Sequence, residues 1–264
     1  MTKILLVSLL SMIISGTSYV SSWDYARHGD DWNEGICLTG TNQSPVNINT
    51  SEIKHGKYLA NMSYKGKTVN TENNGHTVQF NPDGRTLEIA DNVSGSTQLF
   101  TLVQFHLHNG SEHTVNGVHH DLEAHFVHAN SAYLAGDMAN GRLAVIGIFL
   151  DADHDDESNQ AWNKVLSELP DYDGSHGSVV NKKITSNYYK LLPDTNKAYT
   201  YEGSLTTPGC NEIVNWIVMQ EPIEVSHKAV ENFAASQHHH PTYRNTQPLH
   251  GRIVTSSLMR GARK

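Results

Sequence analysis

Short runs in which apolar and polar residues alternate make up most of the patterned sequence. They are rich in β-branched and aromatic residues and end at Gly, Asn or Asp, as is typical of half-buried strands. The clearest are HTVQF (76–80), TLEIA (86–90), QLFTLVQFHLH (98–108), LEAHFVHAN (122–130) and IVNWIVM (213–219). The run LAVIGIFL (143–150) is apolar on both faces and therefore predicts a central strand. Asn-Gly or Asp-Gly pairs starting at 74, 83, 109 and 116 predict tight turns.

Helical patterns are few and short. Residues 156–169 carry apolar side chains at helical spacing, and residues 226–235 begin with Ser226, a residue type that caps helices. We find no internal repeat, linker or low-complexity segment. The pattern predicts a single mainly β domain with few short helices.

The first 22 residues have the three regions of a secretory signal peptide. Lys3 precedes an apolar stretch at 4–14, and small polar residues follow. The stretch is too short to span a membrane. Cleavage after Ser18 or after Ser22 fits the small-residue rule, and the pattern does not choose between them. A buried N-terminal helix is the less favoured alternative, so we expect residues 23–264 to form the mature domain.

Charge and cysteine content argue against a nucleic-acid partner and against a cysteine-ligated zinc site. The 264 residues have a net charge of −8 and no Lys/Arg-rich run, which argues against nucleic-acid binding. Cys37 and Cys210 form no CxxC motif, so a thiolate zinc site is not expected. Export to the periplasm or beyond the cell favours a disulfide between them, worth roughly 3–5 kcal/mol. Two free buried thiols are the alternative.

Histidine is the residue type that points to chemistry, with 17 in the chain. On a strand at 104–108, the side chains of Gln104, His106 and His108 share one face, and those of Phe105 and Leu107 share the core face. Two imidazoles therefore stand side by side with an amide behind them. HxH alone is a weak motif, and a lone strand histidine is usually a structural residue.

The next strand strengthens the case for a metal. Glu123, His125 and Val127 share a face, so His125 has a carboxylate two residues before it. A ligating His commonly donates its second N–H to such a group. Nitrogen-only ligands with an open fourth position favour zinc. His113, His119 and His120 lie in or near the intervening turn and are weaker candidates.

Two other polar segments have a metal-binding interpretation that we do not favour. The acidic stretch 151–159 lacks the glycine and spacing of a calcium loop, so it predicts a solvated loop. The run QHHHP ending at Pro241 predicts an exposed loop with incidental metal affinity.

Beyond these patterns, the chain resembles the α-class carbonic anhydrases in their exported bacterial form. The resemblance covers nearly the whole of residues 23–264, and its motifs follow the family's order. They are WDYARHGDDW (23–32), QSPVNI (43–48), NNGHTVQF (73–80), QFHLHNGSEHTVNG (104–117), EAHFVH (123–128), LAVIGIFL (143–150), GSLTTPGC (203–210), NWIV (215–218) and YRNTQPLHGR (243–252).

The resemblance implies a large, mostly antiparallel sheet with a conical cavity reaching its middle. It implies a zinc enzyme that converts carbon dioxide reversibly to bicarbonate and a proton through attack by zinc-bound hydroxide. One Zn²⁺ would be held by His106, His108 and His125, with Gln104 and Glu123 as their outer hydrogen-bond partners. Cys37 and Cys210 match the disulfide of exported bacterial members.

The same resemblance assigns the catalytic groups. Thr206 would accept a hydrogen bond from the hydroxide and pass its own proton to Glu112, and its backbone N–H would face a substrate oxygen. His76 would carry the product proton to buffer. Carbon dioxide would lie against an apolar wall, with Thr207 beside it. The wall residues are Val127, Val145, Leu205, Val214 and Trp216. Cavity waters would be ordered by Tyr25, Asn74 and Gln79.

Further expectations follow from the resemblance. Sulfonamides and anions would inhibit the enzyme, and weak ester hydrolysis would accompany hydration; a homodimer is left open. Gly209 stands where many relatives have a second proline, which predicts a looser loop around Thr206. Two other functions remain to be weighed: a non-catalytic binding module, which would normally lack a zinc ligand, and a periplasmic metal buffer.

Overall fold

The computed structural model describes residues 23–56, 68–82, 98–153, 159–170, 182–185, 188–193 and 196–258. The strands within these ranges are β1 Asn47–Ile48, β2 Lys54–His55, β3 Thr68–Asn73, β4 Val78–Pro82, β5 Phe100–Asn109, β6 Thr114–Val115, β7 Leu122–Asn130, β8 Leu143–Asp153, β9 Lys182–Thr185, β10 Lys197–Gly203, β11 Val214–Met219, β12 Ile223–Ser226 and β13 Thr255–Leu258. The helices are α1 Ser131–Leu134, α2 Gln160–Ser167 and α3 His227–Ser236, with a 3₁₀ helix at Tyr188–Leu191.

A single large mixed sheet dominates the fold. Its strand order is β2-β13-β10-β11-β8-β7-β5-β4-β3-β9, and β12 pairs with the far part of β8. Most neighbours are antiparallel, but β8 runs parallel to β11 and β12, and β13 runs parallel to β2. A separate parallel pair joins β1 to β6. The predicted mainly β fold with a mostly antiparallel sheet is confirmed.

The alternating runs locate the central strands. Five of the six runs correspond to β4, β5, β7, β8 and β11. The run at 86–90 and the Asp83-Gly84 turn lie outside the described residues, as do the segment 1–22 and most of the acidic stretch. Strand β8 is apolar on both faces because Ile146 and Ile148 pack into one core while Val145 and Phe149 pack into another.

Two predicted helices begin at capping side chains. The Oδ1 atom of Asn159 accepts hydrogen bonds from the backbone N–H groups of Ala161 and Trp162, so α2 begins at Gln160 rather than at 156. Ser226 caps α3 through the N–H of Ala229, as predicted. No helix in the described part of the chain has the length and apolar character needed to cross a membrane.

The core on one face of the sheet fixes the orientation of β5. Phe80, Phe105 and Phe126, from three adjacent strands, stack with ring centroids 4.4 and 4.7 Å apart. The register shifts between Leu102 and Gln104. This bulge lets Leu102 and Phe105 both enter the core, and it turns Gln104, His106 and His108 to the opposite face.

Candidate metal centre

Strands β5 and β7 bring three imidazoles together. His106 is the Cα partner of His125 in the antiparallel register, and His108 lies two residues further along β5. The ring centroids are 5.0 Å apart for His106 and His108, 5.2 Å for His106 and His125, and 4.6 Å for His108 and His125. One nitrogen from each ring lies within 4.8 Å of the other two. His108 and His125 are buried, whereas His106 is partly exposed and marks the open side.

An outer acceptor engages one nitrogen of each ring. His106 Nδ1 lies 2.9 Å from Gln104 Oε1, and His125 Nε2 lies 2.9 Å from Glu123 Oε1. His108 Nδ1 lies 2.6 Å from the carbonyl oxygen of Thr242. Because each acceptor fixes the N–H on that nitrogen, the lone pairs fall on His106 Nε2, His108 Nε2 and His125 Nδ1.

The three-histidine cluster is chemically suited to bind a cation. His108 Nε2 is buried and has no hydrogen-bond partner among the described residues. An unsatisfied buried nitrogen of this kind costs about 1–3 kcal/mol, a cost that a coordinated cation removes. Three neutral nitrogens form the donor set that suits tetrahedral zinc with one open position.

The protonation states of the imidazoles also suit ligation. Burial lowers the pKa of His106 well below its ordinary value, and the neighbouring His108 and His125 lower it further. Burial lowers the pKa of His108 to about 4, against the opposing effect of the Thr242 carbonyl. Burial also lowers the pKa of His125, despite Glu123. All three rings are therefore neutral at pH 7, the form that binds metal.

His113, a weaker candidate from the sequence, supports Glu123 from behind. Its backbone N–H donates to Glu123 Oε2 at 2.8 Å, and its Nδ1 lies 2.7 Å from Glu123 Oε1. Burial alone would raise the pKa of Glu123, but His113 and His125 bring it well below its usual range. The second ring nitrogen of His113 contacts the Tyr201 hydroxyl at 2.6 Å. Because both nitrogens are engaged, His113 orients the site rather than offering a ligand.

Glu112 faces the same space as the three imidazoles. Its Oε2 atom lies 3.5 Å from His108 Nε2 and 3.8 Å from His125 Nδ1. The backbone N–H of Arg244 donates to its Oε1 atom at 2.9 Å. Burial raises the pKa of Glu112 to about 7, and His125 and the Thr206 hydroxyl act in the opposite direction. The structure thus brings Glu112 and Thr206 together beside the ligand cluster.

The loop that carries Thr206 is anchored at its far end. Gly209 has φ of 100°, a value closed to proline. Its carbonyl accepts a hydrogen bond from the N–H of Ile36 at 3.2 Å. The next residue, Cys210, forms the predicted disulfide with Cys37. Glycine therefore allows the backbone to reach its anchor, and the expected looseness of this loop stays a prediction.

The predicted apolar wall is one continuous surface. Val127 pairs with Val145 across β7 and β8, and Val145 pairs with Trp216 across β8 and β11. Val214 and the partly buried Leu205 pack in the same cluster. The ring of Trp216 lies edge-on to His125, with centroids 4.8 Å apart. Thr207, partly buried, accepts a hydrogen bond from the Cys210 N–H through its backbone carbonyl.

His76 lies in the β3–β4 turn. Asn74 Oδ1 accepts the backbone N–H groups of His76 and Thr77 at 3.0 Å each. The His76 ring stacks on Trp23 with centroids 4.0 Å apart. Of the other expected water-ordering residues, Tyr25 lies edge-on to the His108 ring at 6.3 Å, and Gln79 is the Cα partner of His106.

Comparison with known proteins agrees with this arrangement. The family model described as eukaryotic-type carbonic anhydrase matches residues 27–258. A carbonic anhydrase of Pectobacterium carotovorum is 31% identical over 261 residues, covering 96% of this chain and 98% of that protein. The α-carbonic anhydrase of Thermovibrio ammonificans, solved with the inhibitor sulfanilamide, has a TM-score of 0.71 and 34% identity over 83% of this chain and 89% of that one. The α-carbonic anhydrase of Photobacterium profundum has a TM-score of 0.71 and 33% identity, covering 88% of this chain and 99% of that one.

The match extends over nearly all the elements described above, from the segment before β1 to the last strand of the sheet. It exceeds half of the chain, and the bacterial relative is covered almost end to end. With the fold, the sequence match and the structural likeness in agreement, the chain belongs to the eukaryotic-type, or α-class, carbonic anhydrase family and is a carbonate dehydratase.

Proposed function

We propose that the enzyme binds one Zn²⁺ through His106 Nε2, His108 Nε2 and His125 Nδ1. The observation that carries this proposal is the convergence of three nitrogens whose ring partners are each engaged by an outer acceptor. When bound, zinc supplies Lewis acidity that lowers the pKa of water far below its bulk value. The protein's own side chains orient the reacting groups, bind carbon dioxide and transfer the proton.

Glu112 and Thr206 set the direction of hydrogen bonding at the open position. As a carboxylate, Glu112 can only accept, so it receives a hydrogen bond from the Thr206 hydroxyl. The Thr206 oxygen would then be left to accept a hydrogen bond from the oxygen that attacks carbon dioxide, and so would orient that oxygen toward the substrate carbon. The Arg244 N–H holds Glu112 in place for this task.

Carbon dioxide binds against the apolar wall. The molecule is nonpolar, so Val127, Val145 and Trp216 hold it by dispersion and exclusion of water rather than by a strong polar contact. Leu205 and Val214 extend the surface, and the Thr206 N–H and Thr207 flank it. Weak binding suits a substrate whose carbon must remain electrophilic.

His76 accepts the proton that each hydration releases. An imidazole with a pKa near 6.5 can take a proton through cavity waters and return it to buffer. Stacking on Trp23 gives the ring a defined position beside the cavity. Tyr25, Asn74 and Gln79 are proposed to order the waters between.

The decisive experiment is stopped-flow carbon dioxide hydration before and after removal of zinc. We expect hydration to disappear with the metal and to return on adding one equivalent of Zn²⁺. His125→Ala should lose zinc, measured by elemental analysis, and activity together. His120→Gln is the matched control, since His120 lies on the same segment but pairs with Asp151. Full hydration by a verified metal-free protein would refute the proposal.

Sulfonamide binding gives an independent measurement. The Thermovibrio relative is solved with sulfanilamide. We expect sulfanilamide to bind the zinc form of this enzyme with a stoichiometry of one, and to lose binding in the metal-free form. Weak hydrolysis of an activated ester should be inhibited in parallel. Several weak zinc sites without sulfonamide binding would instead indicate a metal buffer.

We further propose that the enzyme is exported after removal of residues 1–18 or 1–22. The disulfide between Cys37 and Cys210 supports an oxidising compartment. Intact mass of the protein recovered from the periplasm of a Gram-negative host should match a chain beginning at residue 19 or 23. A full-length mass would contradict the processing step.

A further inference from the structure

A cavity adjoins the cluster of His106, His108 and His125 on the side of His108. It has a volume of about 400 Å³ and lies between the segment before β1, the β3–β4 turn and the connection after α3. Its titratable lining residues are Asp24, Tyr25, His28, His76, His238 and His240.

One wall is shared with the ligand cluster. Tyr25 lines the cavity, and its ring lies edge-on to His108 at 6.3 Å. Thr242 also lines it, and the Thr242 carbonyl accepts the hydrogen bond of His108 Nδ1.

The rim loop, residues 236–241, presents His238 and His240, and its backbone is hydrogen-bonded to Asn73 and Asn109. Asn73 Nδ2 donates to the carbonyl of Ser236 at 3.1 Å, and Asn73 directly precedes the turn that carries His76. Asn109 Nδ2 donates to the carbonyl of His240 at 2.9 Å, and Asn109 directly follows the ligand His108. The rim loop is therefore held by the ends of the two strands that lead to His76 and His108.

The backbone of the rim loop is unusual. His238 and His239 are consecutive residues with φ of 53° and 59°, a left-handed conformation that few non-glycine residues adopt. His239 is turned to Glu231, 3.8 Å away, and does not line the cavity, whereas His238 and His240 do. The conformation thus sorts three adjacent imidazoles into two that face the cavity and one that does not.

We propose that His238 and His240 form an outer proton-accepting station that receives protons from His76 and passes them to solution buffer. This inference rests on the proposed shuttle role of His76. Imidazolium His76 releases one N–H proton to a cavity water, and a neighbouring water delivers a proton to a neutral ring nitrogen of His238 or His240. That ring then protonates a buffer base. Only N–H and O–H bonds form and break, and charge is conserved.

His28 is a third acceptor in the same cavity, although its Nδ1 already contacts the carbonyl of Tyr243 at 3.0 Å. Asp24 adds a carboxylate at the rim. If three imidazoles beyond His76 accept protons in parallel, removing two leaves about one third of the accepting capacity.

The test measures oxygen-18 exchange at chemical equilibrium, which separates interconversion of carbon dioxide and bicarbonate from proton-limited release of labelled water. At low buffer concentration, the double variant His238→Gln/His240→Gln should release labelled water at about one third of the wild-type rate. The interconversion rate should be unchanged, and added imidazole buffer should restore release. His239→Gln, on the same loop, should match wild type.

The same measurement on His76→Ala distinguishes the proposed shuttle from the proposed outer station. If His76→Ala slows release and the double variant does not, the outer station is refuted and the shuttle stands. If His76→Ala has no effect, the proposed shuttle fails, and the station fails with it. In the His76→Ala background, the double substitution should cause no further loss. A further loss would show a route parallel to His76 and overturn the proposed order.

Discussion

At the scale of single residues, Glu112 is defined by its surroundings rather than by its neighbours in sequence. It is fully buried, and its two oxygens face different partners: the Arg244 N–H on one side and the imidazole cluster on the other. Glu112 can therefore act in two ways, by its negative charge and by fixing the direction of the hydrogen bond with Thr206. Glu112→Gln removes the charge while keeping the shape of the side chain.

Glu112→Gln is expected to retain zinc and lose hydration by at least about 100-fold, the typical cost of removing one preorganised polar group from a reaction site. The amide can donate to Thr206, which reverses the hydrogen bond on which the Thr206 oxygen depends. Stopped-flow hydration and elemental analysis on one sample test this. Loss of zinc in proportion to activity would show that Glu112 holds the ligands instead.

His128 allows a clean test of acid sensitivity. It lies on the core side of β7, its Nδ1 contacts the Ala144 carbonyl at 3.0 Å, and burial lowers its pKa to about 3. The unfolded chain, with a pKa near 6.5, binds the extra proton, so the free energy of unfolding must fall as pH drops from 6.5 toward 3.

His128→Asn should flatten this dependence by up to about 1.4 kcal/mol per pH unit, the value for one proton. Guanidinium unfolding of the metal-free wild type and variant between pH 7 and 5 provides the comparison, because both proteins share all other histidines. Identical slopes would mean that His128 is protonated in the folded state.

At the scale of elements, the adjacent strands β5, β7 and β8 position the site. His106, His125 and Gly147 occupy one line across these strands. A Cβ atom at Gly147 would lie 2.9 Å from Glu123 Oε1. The glycine therefore leaves room for the carboxylate that orients His125.

Gly147→Ala should displace Glu123 and weaken zinc binding by about 10–100-fold, as for other losses of an outer hydrogen bond to a ligand. Competition with a fluorescent chelator measures the affinity. Ala152→Gly, near the end of the same strand, controls for altered strand propensity. Unchanged affinity in Gly147→Ala would mean that the carboxylate has another way to accommodate the methyl group.

The predictable part of the site is the part that is local in sequence. Period-two parity placed His106, His108, Gln104, His125 and Glu123 on their correct faces from the residues alone. The resemblance was needed for Glu112, which belongs to no regular pattern. The Thr242 carbonyl was missed, since a backbone oxygen 134 residues away leaves no trace in side-chain periodicity.

The role of His113 was also missed. The sequence places it in a turn, where its contacts to Glu123 and Tyr201 depend on how β7 and β10 are placed in the sheet. The short strands β2, β9, β12 and β13 escaped prediction for a related reason: two to four residues carry too little alternation to be recognised. The longer strands β3 and β10 were missed as well, because polar residues such as Asn70 and Glu72 in β3 and Lys197 in β10 weaken their apolar pattern.

At the scale of the whole molecule, the disulfide links two segments that are far apart in the sequence. Cys37 and Cys210 are separated by 173 residues, for which chain entropy gives about 5 kcal/mol of stabilisation. Cys37→Ser/Cys210→Ser should lower the free energy of unfolding by up to that amount in guanidinium titrations. The reduced wild type is the control and should match the variant. A loss below about 1 kcal/mol would indicate a compact unfolded state that the crosslink hardly constrains.

Arg244 is a buried residue that hydrogen-bonds to segments far from it in the sequence. Its guanidinium donates to the carbonyls of Cys37 and Ser44 and to the side chain of Gln43, while its own backbone N–H holds Glu112. The outer acceptor of His108, Thr242, lies two residues before it. A chain that extends only to residue 130 thus contains the three clustered imidazoles of His106, His108 and His125 but neither Thr242 nor Arg244. The proposed site is therefore complete only when the segment that carries Thr242 and Arg244 packs against the segment that carries Cys37 and Ser44.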